Sequence, residues 1–286
     1  MSLVDQIRTI ERRLGRETVR SGASHEDDDR FLIPLGFTEI DAALGGGLSR
    51  AALHEWFGVG NGDEPPEPRK YSVWVPPLLP LVHLARQALV GATGSLNPPS
   101  AASGSFQRYA VWIGRRCVPY GGVLLGAEGD RSLLERSLFV IVDRAVDRRW
   151  TADLALRCPT VAVVVTDGSG FDMAATRRLQ LVAKTYRTPI FLARPPWEVR
   201  QLSAAQTRWL VRWDAAAGTV DDESNVLNPR WSIELLRCKG GQPEYRPRVW
   251  ALEWDRDQGA LRVLAPLAGA TGDAGTSTSK RRLRQA

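Results

Sequence analysis

Apolar residues recur at helical spacing at the start of the chain. Leu3, Ile7, Ile10 and Leu14 follow one another at intervals of four, three and four residues, with Arg and Glu between them. This spacing predicts an amphipathic helix that ends near Gly15. The apolar stripe of that helix must pack either on the rest of the protein or on a partner, and the pattern leaves both possibilities open.

Strand-like and helix-like segments alternate through the middle of the chain. Residues 161–166 form an unbroken run of β-branched residues and alanine, which is typical of a strand buried on both faces. Alternation on this length scale predicts an α/β protein with a mostly parallel sheet flanked by helices. The predicted strands are 52–57, 109–114, 137–142, 161–166 and 189–193, and the predicted helices are 78–90, 149–157 and 173–186.

The pattern changes after residue 205. Strand-like segments at 208–215, 230–238, 249–255 and 260–264 follow one another without a long helix, which predicts a β-meander at the far edge of the sheet. The tail is rich in Gly, Ala, Thr and Ser and is predicted to be disordered. We divide the chain into a helix with an acidic linker (1–30), an α/β core (31–205), a β-rich extension of the core sheet (206–267) and a basic tail (268–286).

Charge adds one bias to this picture. Lys and Arg number 38 against 32 Asp and Glu, which gives a net charge of +6. This excess suits an acidic partner such as nucleic acid, and an arginine-rich, solvated surface explains it equally well. Only four of the basic residues are lysine, which restricts any phosphate chemistry that depends on a lysine.

Cysteine spacing and the lengths of the apolar stretches bear on metal binding and on the cellular compartment. Cys117, Cys158 and Cys238 lie far apart without CxxC spacing, so we expect no zinc site. The first residues contain no apolar signal core. No stretch reaches the roughly 20 apolar residues that span a bilayer. We therefore expect a cytoplasmic protein that does not associate with membrane.

Aromatic residues and histidines have competing interpretations. The ten tryptophans suit either base stacking on single-stranded nucleic acid or packing within the sheet, and their strand rhythm favours packing. His54 lies in an apolar strand pattern and is interpreted as a structural histidine rather than a base. Six of the tryptophans fall in predicted strands, namely Trp112, Trp209, Trp213, Trp231, Trp250 and Trp254.

A glycine run before the first core strand carries the most specific motif. The segment reads Ile40-Asp41-x-x-Leu44-Gly45-Gly46-Gly47-Leu48, then six residues, then Glu55-Trp56-Phe57-Gly58. Thr38 is predicted to cap the short helix before the glycines. This motif and the element order that follows it, over residues 35–194, resemble the entry to a RecA-like ATPase core. The resemblance implies a phosphate-binding loop directly after the first strand.

The residues that a working nucleotide site needs are missing. A phosphate loop requires G-x-x-x-x-G-K-[ST], whereas this chain has Asp63 and Glu64 where the Lys and Ser/Thr should stand. Arg115 and Arg116 follow the next strand, where RecA has an acidic residue. Asp167 keeps the Walker B position. We therefore expect a degenerate, vestigial nucleotide site with no cofactor, no metal and no catalysis, formed by Gly58, Gly60, Asn61, Gly62 and Asp167. A weak anion nest at 58–62 stays open.

Five further segments resemble the ImuA family, also described as SulA/RecA-like. Listed in chain order, they are Trp112-Ile113-Gly114, Ala174-x-x-Arg177-Arg178-Leu179-Gln180-Leu181-Val182-Ala183, Ser203-Ala204-Ala205-Gln206-Thr207-Arg208-Trp209, Glu234-Leu235-x-Arg237-Cys238-Lys239-Gly240-Gly241 and Trp250-x-Leu252-Glu253-Trp254. The resemblance implies a non-catalytic adaptor in SOS-induced mutagenic translesion synthesis. Its implied partners are an ImuB-like, polymerase-related protein and, indirectly, an error-prone C-family DNA polymerase.

Two other functions stay open. The first alternative is a RecA-type ATP-dependent recombination or repair protein with an atypical nucleotide site. The second is a DNA-binding structural protein without a polymerase partner. The partners RecA-type protomers and DNA also stay open. The candidate contact residues are the N-terminal stripe (Leu3, Ile7, Ile10 and Leu14) and the basic tail motif (Lys280, Arg281, Arg282, Leu283 and Arg284).

Overall fold

The computed structural model describes residues 32–60, 73–93, 108–126, 130–213, 229–240, 249–255 and 260–264. The strands are β1 (Leu32–Ile33), β2 (Leu48–Ser49), β3 (Leu53–Phe57), β4 (Val59–Gly60), β5 (Trp74–Val75), β6 (Tyr109–Ile113), β7 (Ser137–Val140), β8 (Val161–Asp167), β9 (Ile190–Arg194), β10 (Thr207–Trp213), β11 (Arg230–Cys238), β12 (Val249–Asp255) and β13 (Ala260–Leu264). The helices are α1 (Thr38–Ala43), α2 (Leu78–Thr93), α3 (Gly121–Leu124), α4 (Ser132–Glu135), α5 (Ala145–Leu156) and α6 (Met173–Tyr186), with 3₁₀ turns at Arg115–Cys117 and Pro196–Arg200.

A nine-stranded sheet organises the chain. Its order is β13-β12-β11-β10-β3-β9-β8-β6-β7. The neighbours from β10 to β7 are parallel, and those from β10 to β13 are antiparallel. The prediction of a mostly parallel sheet with a C-terminal meander at its far edge is confirmed. The first strand assigned to the meander, β10, is parallel to β3 and so also extends the parallel part.

Helices cover both faces of the parallel sheet. Alternate strand residues point to opposite faces, so Val163 and Val165 pack with α2 whereas Val164 packs with α5 and α6. Every residue of β8 is buried, as its unbroken apolar run predicts. Among the described residues, no helix is both long and apolar enough to cross a membrane.

The tryptophans pack inside the molecule, as the strand rhythm predicts. Trp209 stacks on Trp56 with ring centroids 5.0 Å apart, and it lies 6.1 Å from Trp250. Five of the six strand tryptophans are buried, namely Trp112, Trp209, Trp231, Trp250 and Trp254. Trp213, the last residue of β10, is half-exposed and meets the ring of Trp231 edge-on.

The short helix α1 is capped differently from the prediction. Thr38 is its first helical residue, and Phe37 at the N-cap makes no side-chain cap. The carboxylate of Asp41 instead accepts the backbone N–H groups of Leu35, Gly36 and Phe37, at 2.7, 3.0 and 3.2 Å. The proposed Thr38 cap is therefore wrong, because a carboxylate one turn into the helix satisfies the N–H groups of the incoming chain.

The glycine run ends α1 as predicted. Gly45, Gly46 and Gly47 all have positive φ values, of 73°, 116° and 144°. A Cβ at Gly47 would overlap the carbonyl of Ile33 in β1. The three glycines therefore adopt backbone conformations that other residues rarely adopt, and Gly47 leaves room for β1 to pack closely. The chain then continues into β2 and β3.

Candidate functional site at the carboxyl edge of the sheet

The segment that follows β3 packs against a neighbouring strand. The Gly58 N–H donates to the Arg194 carbonyl at 2.8 Å, which continues the parallel pairing of β3 with β9. Val59–Gly60 forms β4 and pairs antiparallel with β5, where the sequence predicted a loop. A Cβ on Gly58 would overlap the Val75 carbonyl oxygen. Close packing of β5 therefore accounts for Gly58, and its N–H group is already used.

Asp167 lies at the end of β8 with guanidinium groups around it. Its carboxylate is buried and accepts the Ser169 N–H at 2.9 Å. Arg116 donates to its Oδ2 at 3.4 Å, and a guanidinium nitrogen of Arg148 lies 3.8 Å from Oδ1. The negative charge that would hold a magnesium ion is therefore balanced by two arginines.

The buried guanidinium of Arg148, on α5, donates hydrogen bonds to backbone carbonyls at this edge of the sheet. Its Nε donates to the Asp167 carbonyl at 2.7 Å, its Nη2 donates to the Ser169 carbonyl at 2.8 Å, and its Nη1 donates to the Asp143 carbonyl. The side chain is almost fully buried. Because each of these donors has a backbone acceptor, Arg148 holds the ends of β7 and β8 together.

An open cavity of about 400 Å³ lies among these groups. The chain leaves β6 towards α3 and α4 on the α2 side of the sheet, and leaves β8 towards α6 on the other side. Such a reversal at the carboxyl ends of parallel strands is where open α/β sheets bind ligands. The cavity is lined by Arg115, Arg116, Val142, Asp143, Arg148 and Asp167.

The polar groups around the cavity are paired with one another. Arg115 and Asp143 form an exposed ion pair at 3.3 Å, whose hydrogen bond lowers the pKa of Asp143 and raises that of Arg115. Burial, reinforced by the charge of Asp167, raises the pKa of Cys117 well above its ordinary value, so its thiol stays protonated. Among the described residues, no group of three or more His, Cys, Asp or Glu side chains is arranged to hold a metal ion.

A magnesium nucleotide of the kind that the RecA-like resemblance implies does not fit these residues. The space beside Gly58 is occupied by β5, and the negative charge of the Asp167 carboxylate is balanced by Arg116 and Arg148. Arg116 also lies 6.0 Å over the ring of Trp74. The exposed guanidinium groups of Arg115 and Arg116 can stabilise an anion at this cavity.

The site residues taken from the sequence are only partly brought together. Arg115, Arg116 and Asp167 meet at one cavity, whereas Gly58 lies against β5. The sequence-based prediction missed Asp143 and Arg148, although Asp143 directly follows the predicted strand 137–142, at the edge where the strand ends converge. Outside the described residues lie Asn61, Gly62, Leu3, Ile7, Ile10, Leu14, Lys280, Arg281, Arg282, Leu283 and Arg284.

A second charged cluster is buried in the sheet beside this edge. Glu55 on β3 accepts from Arg194 at 2.6 Å and from Arg208 at 2.7 Å. Arg194 also donates to Glu198 at 2.6 Å and to the Phe171 carbonyl at 2.9 Å. Because these groups join β3, β9 and β10 within the core, the Glu55 of the entry motif is a structural residue.

His54 is also structural, as predicted. Its Nε2–H donates to the Ser49 carbonyl at 2.9 Å, because a carbonyl only accepts. Its Nδ1 then accepts from the Thr207 hydroxyl at 2.8 Å, and that hydroxyl accepts from the Trp209 indole at 2.9 Å. Burial lowers the pKa of His54 to about 4, which leaves a neutral imidazole in the folded protein.

Comparison with known proteins adds an observation that does not depend on the geometry of the site. No protein-family model matches the chain. Two curated relatives, both called Protein ImuA, come from two strains of Caulobacter vibrioides. Each is 29% identical over 235 residues, which covers 78% of this chain and 83% of the relative. The similarity supports membership of the ImuA family. The ImuA resemblance inferred from the five sequence segments is thereby confirmed.

Proposed function

We propose that this protein is a non-catalytic accessory factor in damage-induced mutagenic translesion DNA synthesis. The observation that carries the proposal is the similarity to Protein ImuA, which extends over most of both chains. The cellular role comes from the resemblance to the ImuA family, and the relatives' name agrees with it.

A RecA-like core without nucleotide chemistry is part of the proposal. The element order around the sheet and the glycine entry before β3 support the fold assignment. The packing of Gly58 against Val75 and the pairing of Asp167 with two arginines support the loss of nucleotide chemistry. An adaptor can keep the fold of an ATPase after the catalytic groups have gone, since fold alone does not dictate activity.

The proposed partners are those of the family. An ImuB-like, polymerase-related protein binds this adaptor directly, and the error-prone C-family polymerase joins through that protein. Assembly with RecA-type protomers and direct binding to DNA are further possibilities within the same role. Each is separable by pull-down of the purified full-length chain with the purified candidate.

A mutagenesis assay tests the role. A strain that lacks the gene should show fewer mutations after ultraviolet damage, and the wild-type gene should restore them. The variant Asp167→Asn should restore them as well, provided that its melting temperature matches the wild type. Normal induced mutagenesis in the deletion strain would contradict the proposal.

Calorimetry separates the adaptor from the RecA-type ATPase. We expect no tight, magnesium-dependent ATP binding and no hydrolysis above background. Tight binding that Asp167→Asn abolishes, together with loss of complementation by that variant, would favour the ATP-dependent repair protein. Weak binding of an anion without magnesium is compatible with the adaptor.

A further inference from the structure

The outer surface of α5 and α6 is unusually rich in exposed apolar and aromatic groups. The two helices pack side by side on the same face of the sheet. α5 turns Ala152 and Leu156 inwards, and it presents Val146, Trp150 and Leu154 outwards at a spacing of four residues. Trp150 is 64% exposed, more than any other large apolar side chain on these two helices. We call this surface the α5–α6 face.

The α5–α6 face is also strongly basic. It has seven exposed or half-exposed cations against three carboxylates. The cations are Arg144, Arg149, Arg157, Arg177, Arg178, Lys184 and Arg187, and the carboxylates are Asp147, Asp153 and Asp172. This excess is a large share of the net charge of the whole chain, +6.

All three carboxylates of this face already have partners, and Asp147 lies 3.9 Å from the Arg144 guanidinium. Asp153 is buried and pairs with both Arg157 and Arg178 at 3.1 Å. Asp172 caps α6 by accepting the Ala175 N–H at 2.7 Å. These pairs neutralise part of the charge of Arg144, Arg157 and Arg178, and the face still has four more cations than carboxylates.

Aromatic rings lie among the cations. Tyr186 ends α6 and is 39% exposed, and the Arg157 guanidinium lies 5.5 Å over its ring. Arg157 also donates to the Tyr186 hydroxyl at 3.3 Å. On the same surface, Trp150 offers an exposed flat ring to any planar group. Interleaved cations and exposed rings are the arrangement by which proteins bind single strands, with phosphates on the cations and bases on the rings.

We propose that the α5–α6 face binds single-stranded nucleic acid, with phosphates on Arg177, Lys184 and their neighbours and a base stacked on Trp150. The proposal is independent of the ImuA relationship and of the cavity at the carboxyl edge. The charge excess favours a polyanion over an apolar protein surface. Stacking on a single tryptophan provides affinity without sequence preference.

The test measures binding of a fluorescein-labelled oligo(dT) strand of about 20 nucleotides by fluorescence anisotropy at several salt concentrations. The full-length chain carries glutamine at Lys280, Arg281, Arg282 and Arg284, so that the tail does not mask the result. Trp150→Ala should weaken binding about tenfold. Its matched control is Trp213→Ala, which removes a half-exposed tryptophan from the opposite face of the sheet and should leave affinity unchanged.

Charge reversal tests the phosphate contacts. The double variant Arg177→Glu with Lys184→Glu should weaken binding and lower the slope of log affinity against log salt by about two. The double variant Arg108→Glu with Arg131→Glu changes the net charge equally at exposed positions before β6 and α4. It should leave the slope closer to that of the parent chain. Melting temperatures establish that all variants are folded.

Three outcomes would overturn the proposal. The first is failure of the tail-neutralised parent to bind the strand. The second is equal binding by the face variants and their controls. The third is unchanged binding by the face variants together with loss of pull-down of the ImuB-like protein, which would make the face a protein-docking surface. None of these outcomes bears on whether the gene supports induced mutagenesis.

Discussion

At the scale of single residues, burial decides which ion pairs matter. Glu55 and Glu234 are both strand glutamates paired with arginines at 2.6–2.7 Å, but Glu55 is fully buried and Glu234 is partly exposed. Glu55→Gln should lower the free energy of unfolding by about 3–5 kcal/mol, because it leaves Arg208 buried without that carboxylate. Glu234→Gln, the control, should cost less than about 1 kcal/mol. Urea denaturation measures both, and equal losses would contradict a structural role for Glu55.

The buried histidine should make stability depend on pH. The pKa of His54 is about 4 in the folded protein and near 6.5 when unfolded, so unfolding takes up a proton between these values. The free energy of unfolding should therefore fall as the pH is lowered, by about 2 kcal/mol from pH 7 to pH 5. Urea midpoints across this range measure the slope.

A variant assigns that slope to His54. His54→Gln should have a flatter dependence on pH. Some dependence should remain, because burial also lowers the pKa of His83, which gives a contribution of the same sign. An unchanged slope in His54→Gln would show that the proton is taken up elsewhere.

At the scale of elements, the segment after β3 is explained by packing. Gly58→Ala should destabilise the protein by about 1–3 kcal/mol, because its Cβ would overlap the Val75 carbonyl of β5. Gly122→Ala in α3 is the matched control, since nothing lies within 4 Å of its Cβ position. That control should be neutral or up to about 1 kcal/mol more stable. A Gly58→Ala protein as stable as the wild type would mean that β5 does not close on this glycine.

Element boundaries were predictable where the inward face of an element is apolar. The bounds of α6 and β11 follow the apolar period and match the structure. α5 begins at Ala145, four residues before the predicted start at 149, because its first inward residue is Arg148. A buried arginine that donates to backbone carbonyls looks like a surface residue in a hydropathy pattern. The predicted helix therefore omits the first turn of α5.

The sequence predicted only part of the candidate site. Asp167 ends one parallel strand and Arg115 and Arg116 come shortly after another, and the carboxyl ends of such strands meet at one edge of the sheet. Spacing does not reveal that Arg148 reaches that edge from a helix, or that β5 folds back onto Gly58. These contacts link segments whose separation along the chain leaves no local pattern.

At the scale of the whole molecule, the basic tail offers a test of how this protein reaches its partners. The sequence predicts a disordered segment ending in Lys280, Arg281, Arg282, Leu283 and Arg284, whose cations attract phosphate and whose leucine can anchor on a protein. We expect docking on the ImuB-like protein, so truncation after Gly269 and the variant Leu283→Ala should both reduce its pull-down. Binding to DNA would instead survive Leu283→Ala and weaken with added salt. If the truncated chain retains both the partner and DNA, the tail has neither function, and the α5–α6 face and the N-terminal stripe become the surfaces to test.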